Sequence, residues 1–102
     1  MANTFKNFTS QSVGTTQTTV YTVPASSTSV VIGLNLANRT GSTITADVLL
    51  GSTYLIKGAS LPAGVALSVL DGKIIIEESE TISVVSSAPS SLDVILSTVE
   101  RS

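Results

Sequence analysis

Ser29-Val30-Val31-Ile32-Gly33-Leu34-Asn35-Leu36-Ala37 is the stretch that decides the fold class. Three β-branched residues lead into alternating Leu, and nothing in it repeats with a helical period. Val30, Ile32, Leu34 and Leu36 fall on one side of an extended chain, opposite Val31, Gly33, Asn35 and Ala37. The first set is continuously aliphatic, so the segment reads as a central strand with that face in the core. Asn38-Arg39-Thr40-Gly41-Ser42 follows as a turn. Residues 44–50 then alternate again, with Ile44, Ala46, Val48 and Leu50 on one side, which predicts an antiparallel pair between 29–37 and 44–50.

The same pattern extends in both directions. Residues 18–23 alternate up to Pro24, which cannot donate to a sheet ladder. Residues 54–57 read as a short strand, and 58–64 as a connection too rich in breakers to be regular. Ala66-Leu-Ser-Val-Leu70 and Lys73-Ile-Ile-Ile76 flank Asp71-Gly72, the dipeptide suited to a two-residue type I′ hairpin because both turn residues need positive φ. That turn sets Val69 opposite Ile74 and Leu67 opposite Ile76 on a core face. It leaves Ile75 beside Ser68, Leu70 and Lys73, in need of a second layer or a partner. Residues 81–86 and 92–99 complete the set.

Short β-branched runs at this spacing predict an all-β chain, a two-sheet antiparallel β-sandwich or jelly roll of about eight strands, with a small closed barrel as the alternative. Residues 13–102 form the single domain. Residues 1–12 lack strand alternation and read as an extended polar N-terminal arm carrying Phe5 and Phe8, which serve either to staple the arm to its own domain or to dock on a neighbour. As a docking arm it contributes to assembly more than to folding.

Composition bounds the function. A chain of 102 residues holds one modest core. Only 12% of residues are charged, while Ser and Thr supply about 30%, so the surface is mostly hydroxyl. Mean hydropathy is +0.46, yet no apolar run approaches the ~18 residues of a membrane span. Aliphatic side chains in excess of one small core are expected at contact surfaces. Lys6, Arg39, Lys57, Lys73 and Arg101 are scattered, which leaves no basic patch for nucleic acid. The absence of Cys excludes disulfides and thiolate metal sites. No signal-peptide pattern opens the sequence, so synthesis in a cytoplasm is expected. The sequons at Asn7 and Asn38 read as chance in a Thr-rich chain.

Catalytic chemistry finds little to work with. His is absent along with Cys, which removes the usual bases and the common triads. Lys57 near Ser60 is the one nucleophile–base pairing close in sequence, and in so Ser-rich a chain it carries little weight. Glu77, Glu78 and Glu80, with Asp71 nearby, match no cation-loop spacing and read as a solvated turn. Four aromatics and no Trp support a glycan site poorly, and Tyr21 reads as core. Neither a catalytic residue nor a cofactor or metal site is assigned. The interface candidates are Phe5, Phe8, Tyr54, Leu70 and Ile75.

Thr19-Val-Tyr-Thr-Val-Pro-Ala25, Val31-Ile-Gly-Leu-Asn-Leu-Ala-Asn-Arg-Thr-Gly41, Leu61-Pro-Ala-Gly64, Leu70-Asp-Gly-Lys73, Glu80-Thr-Ile-Ser-Val-Val-Ser-Ser87 and Ser91-Leu-Asp-Val-Ile-Leu-Ser97 together resemble small β-sandwich virion proteins of tailed bacteriophages. The matched features are turns and strand patterns and cover nearly the whole chain. The resemblance implies a non-enzymatic structural protein of the virion, foremost a capsid decoration protein that packs on and stabilises the shell. The alternatives are a neck, collar or tail accessory protein, or a host-binding, lectin-like module of a tail fibre. It implies homo-oligomers, trimers on local threefold axes among them. The implied partners are the major capsid protein or neck and tail proteins, with neither nucleic acid nor membrane as a ligand.

Overall fold

The computed structural model describes residues 3–69 and 73–101. It is all-β: β1 (Asn3–Val13), β2 (Thr18–Thr22), β3 (Thr28–Asn38), β4 (Ile44–Leu50), β5 (Thr53–Leu61), β6 (Ala66–Ser68), β7 (Ile74–Ile76), β8 (Thr81–Ser86) and β9 (Leu92–Arg101). Two antiparallel sheets pack face to face. One has the order β1-β9-β3-β6, with β7 also on β3, and the other the order β2-β8-β4-β5. The two sheets are separate, which resolves sandwich against closed barrel.

β6 and β7 both pair antiparallel with β3, Ser68 opposite Asn35 and Ile74 opposite Val31. They are successive pieces of one edge strand. Counting them so, the order is that of an eight-strand jelly roll, in which the chain passes from sheet to sheet at nearly every connection. The expected hairpin is corrected by this finding. Val69 donates to the carbonyl of Leu34 (2.8 Å) and does not face Ile74, and Leu67 lies opposite Leu36, not Ile76. The turn residues Asp71 and Gly72, with Leu70, lie outside the described residues.

Jelly-roll topology also separates β3 from β4, whose pairing the sequence suggested. β3 lies between β9 and β6/β7, while β4 lies between β8 and β5. Residues 39–43 are therefore a corner between sheets, and Asn38 locks it. Buried at β3's end, its Nδ2 donates to the carbonyls of Ser42 (2.7 Å), Leu61 (2.9 Å) and Pro62 (3.1 Å), and its Oδ1 accepts from the Thr40 amide and hydroxyl. A buried carbonyl without a partner costs about 1–3 kcal/mol, so this one amide holds together the corner and the end of β5.

The core is the filling between the sheets: Val31, Leu34 and Leu36 from β3, Val94 and Leu96 from β9, Val48, Ile82 and Val84 from the other sheet. Each such side chain contributes about 1.5–3 kcal/mol through burial. The phase of β3 differs from the simple alternation. Its register against β9 shifts between Val31 and Gly33, so Ile32 is an extra residue in a β-bulge. The bulge turns Val31 inward and leaves Ile32 outside.

Residues 1–12 are expected as an extended arm, but Asn3–Val13 form the edge strand β1. They pair with β9 through eight consecutive residues from Asn3–Arg101 to Ser10–Val94. Thr, Asn and Ser supply little periodicity, but backbone pairing and the inward ring of Phe8 suffice to seat the strand. β5 likewise runs on through Gly58, beyond the expected 54–57. It absorbs its breaker residues as bulges, with Gly58 at φ +65° and its amide held by Asp47 Oδ1 (2.6 Å).

Candidate interaction surface

In an antiparallel ladder, directly opposed residues point to the same side of the sheet. In the β1-β9-β3-β7 layer, Phe5 opposes Val99, Val99 opposes Val30, and Val30 opposes Ile75. None of these four is buried, so they form an apolar row on the outer face of the sheet, crossing four strands. Phe5 and Ile75 at its ends are 76% and 66% exposed. Ile32, put outside by the β3 bulge, lines a shallow depression with Phe5, Asn7 and Ser97. Ile95, further along β9, is exposed on the same face. Four of the six large exposed hydrophobics among the described residues (Phe5, Ile32, Ile75, Ile95) thus share one face, and the others are Tyr54 and Val65.

The face is also nearly uncharged. Its strand positions are Asn, Thr, Ser, Gly, Ala and the aliphatics, with Asp93 and Arg101 at opposite ends of β9. Asp93 is engaged at its own end, accepting from the Ser12 amide (3.0 Å) and pairing with Arg39 (3.2 Å).

Of the residues expected at an interface, Phe5 and Ile75 come together on this face. Phe8 does not. It points inward and stacks on Tyr21, ring centroids 4.3 Å apart, so the stapling alternative holds for this ring. Tyr54 lies on β5 in the other sheet, with the Lys57 ammonium 4.6 Å from its ring centroid. Leu70 is outside the described residues. Val30 and Ile32 were expected on the core face and stand on the outer one instead, while Ile95 and Val99 were not singled out from sequence. Their place depends on the β3 bulge and on pairings that jelly-roll topology decides, and no local signal records either.

At one end of the sandwich the filling becomes polar. Tyr21 donates its hydroxyl to buried Glu100 (2.6 Å) across the two sheets, and Lys6 from β1 reaches the same carboxylate (3.2 Å). The hydrogen bond from Tyr21, and secondarily Lys6, holds the Glu100 pKa below the usual carboxylate value against the opposing effect of burial. Burial first, then the Glu100 contact, raises that of Tyr21. The trio ties β1, β2 and β9 together. Buried Ser29 and Thr98 lie on the same inner surface, with their hydroxyls beside that of Tyr21.

Lys57, Glu77, Glu78 and Glu80, weighed for chemistry, have structural partners. Lys57 lies 3.9 Å from Asp47 and over Tyr54. Glu77 and Glu80 close a turn on one another, the Glu77 amide donating to Glu80 Oε1 (2.8 Å), while Glu78 accepts from the Ser26 amide (3.2 Å). Among the described residues no three His, Cys, Asp or Glu side chains gather as a metal site.

No family model and no curated protein matches the chain. Among solved structures, the fold is similar to a subunit described under "Bacillus endospore appendages form a novel family of disulfide-linked pili". The identity is 13% and the TM-score 0.57, over 99% of this chain and 87% of the other. At that identity the likeness is one of fold.

Proposed function

We propose that this chain is a non-enzymatic structural subunit that works by packing against other protein surfaces in a multi-copy assembly. The observation that carries the reading is the nearly uncharged outer face of the β1-β9-β3-β7 sheet, where four large hydrophobics stand in solvent. A domain this small gains nothing in its own stability from leaving them there, and large exposed apolar patches mark contact sites. The scaffold suits such a role, because its hydroxyl-rich strands are held by backbone pairing and by locks such as Asn38.

Within that reading, capsid decoration in a tailed bacteriophage is the role the sequence resemblance favours. A filament subunit is the second reading, favoured by the likeness in fold to a pilus protein. The lack of Cys in this chain means that any such filament is held by packing and strand contacts, not by disulfides. Immunogold labelling of material from the source cells, with antibody raised against the recombinant chain, tests the proposal. Gold on particle shells is expected from decoration, and gold along filaments from the second reading. Label confined to dispersed soluble protein would overturn both.

A further inference from the structure

We infer that the outer face of the β1-β9-β3-β7 sheet is a self-complementary stacking surface whose occupant is the same face of a second copy of this chain. The inference deepens the proposed structural role and rests on it only for its biological setting.

Three features single out a second copy. The first is the symmetry of the apolar row. Its four members occupy successive strands, large residues outermost (Phe5 and Ile75) and valines in the middle (Val99 and Val30). A two-fold axis parallel to the strands and lying between the stacked sheets exchanges β1 with β7 and β9 with β3. Phe5 of each copy then meets Ile75 of the other, and Val99 meets Val30, so the row covers itself completely. This is the isologous contact that closed dimers use.

The second feature is charge. A face that stacks on itself is penalised wherever like charges are forced together. Here the row has no charged member, and the two charges at strand positions of the face, Asp93 and Arg101, sit at opposite ends of β9. Asp93 is moreover already paired with Arg39. The small outward residues Gly33, Ala37 and Ser97 permit the spacing of about 10 Å at which sheets pack.

The third is size. β1, β9 and β3 are 11, 10 and 11 residues long and the edge pieces β6 and β7 three each, so at a rise of about 3.3 Å and a strand spacing of about 4.8 Å the face covers roughly 600 Å². Two such faces bury roughly 1,200 Å², at the lower end of the ~1,200–2,000 Å² of specific, stable interfaces. Phe5 and Ile75, the most exposed members, act as the anchors that interfaces concentrate their energy in.

Sedimentation and light scattering on the recombinant chain test this with two variants, Phe5→Glu and Ile75→Lys. Both positions are exposed, so the thermal midpoints should stay near wild type. The wild-type chain should show a concentration-dependent mass rising to twice its 10.4 kDa. Each variant alone should dissociate at least tenfold more readily, because it carries a buried unpaired charge twice per dimer. An equimolar mixture of the two should recover association, since a mixed dimer has one native Phe5–Ile75 contact and one Glu–Lys pair. A wild-type monomer at every concentration, variants that associate as wild type does, or a mixture no tighter than its components would each overturn the inference. Gold labelling on shells or filaments combined with a solution monomer would remove the stacking surface and leave the structural role standing.

Discussion

Glu100 concentrates the electrostatics of the domain in one buried carboxylate, bonded by Tyr21 from the opposite sheet and Lys6 from the edge strand. Its pKa is lower in the folded than in the unfolded chain, so its stabilisation is fully present above the unfolded carboxylate value of about 4.3 and is lost as pH falls through the folded value. Tyr21, raised on folding, stabilises below about pH 10 and ceases to do so as pH rises beyond its folded value. Denaturant melts of Glu100→Gln against wild type between pH 2.5 and 7 should show the variant less stable by about 1 kcal/mol or more at neutral pH. The gap should close in acid, and a gap that stays constant with pH would exclude the carboxylate as its source. Tyr21 was legible as core from its place in an apolar strand, whereas its partner was not. Glu100 follows a strand in the sequence as an ordinary terminal charge, and only the crossing of β9 over β2 makes it a buried acceptor. Asn38 is similar: the residues after it announced a turn, but its five hydrogen bonds depend on where β5 ends in space.

β1 is where element-scale reasoning from sequence and the structure part most clearly. Low periodicity and an open polar composition suggested an arm, yet eight consecutive pairs with β9 and the Phe8 ring on Tyr21 make it a full member of the sheet. Deleting residues 2–10 should therefore lower stability by at least about 3 kcal/mol, the scale of truncating one buried Phe with strand bonds added. A docking arm predicts near-native melting, so thermal denaturation of the deletion decides between them. The positions of the strands were largely readable because β-branched runs and breakers are local features. Their pairings were not. In a jelly roll, sequence neighbours such as β3 and β4 sit in different sheets, and an apparent hairpin such as 66–76 contributes two pieces to a single edge. Bulges at Ile32 and Gly58 then shift the inward phase, which makes simple alternation fail at the residues that end up on the surface.

At the scale of the whole molecule, what holds the domain together is distinct from what it presents. Aliphatic side chains between the sheets, the Asn38 corner and the Glu100 tie stabilise the sandwich. The outer face of the β1-β9-β3-β7 sheet holds a surplus of apolar surface that the fold does not use. The surplus was legible as composition, in the positive mean hydropathy and the scarcity of charge, but its location required the register. If that face is the working surface, a change confined to it must damage assembly and spare the fold. Ile95 is the sharpest place to make the change, being half-exposed and away from the Phe5–Ile75 row. The most direct measurement is to introduce Ile95→Lys in the source organism or particle and quantify incorporation of the chain into its assembly by immunogold counting, with thermal melting of the purified variant alongside. A working face there predicts at least a tenfold fall in incorporation with stability within about 0.5 kcal/mol of wild type, as expected for a surface substitution. Wild-type incorporation of a normally folded Ile95→Lys chain would contradict it.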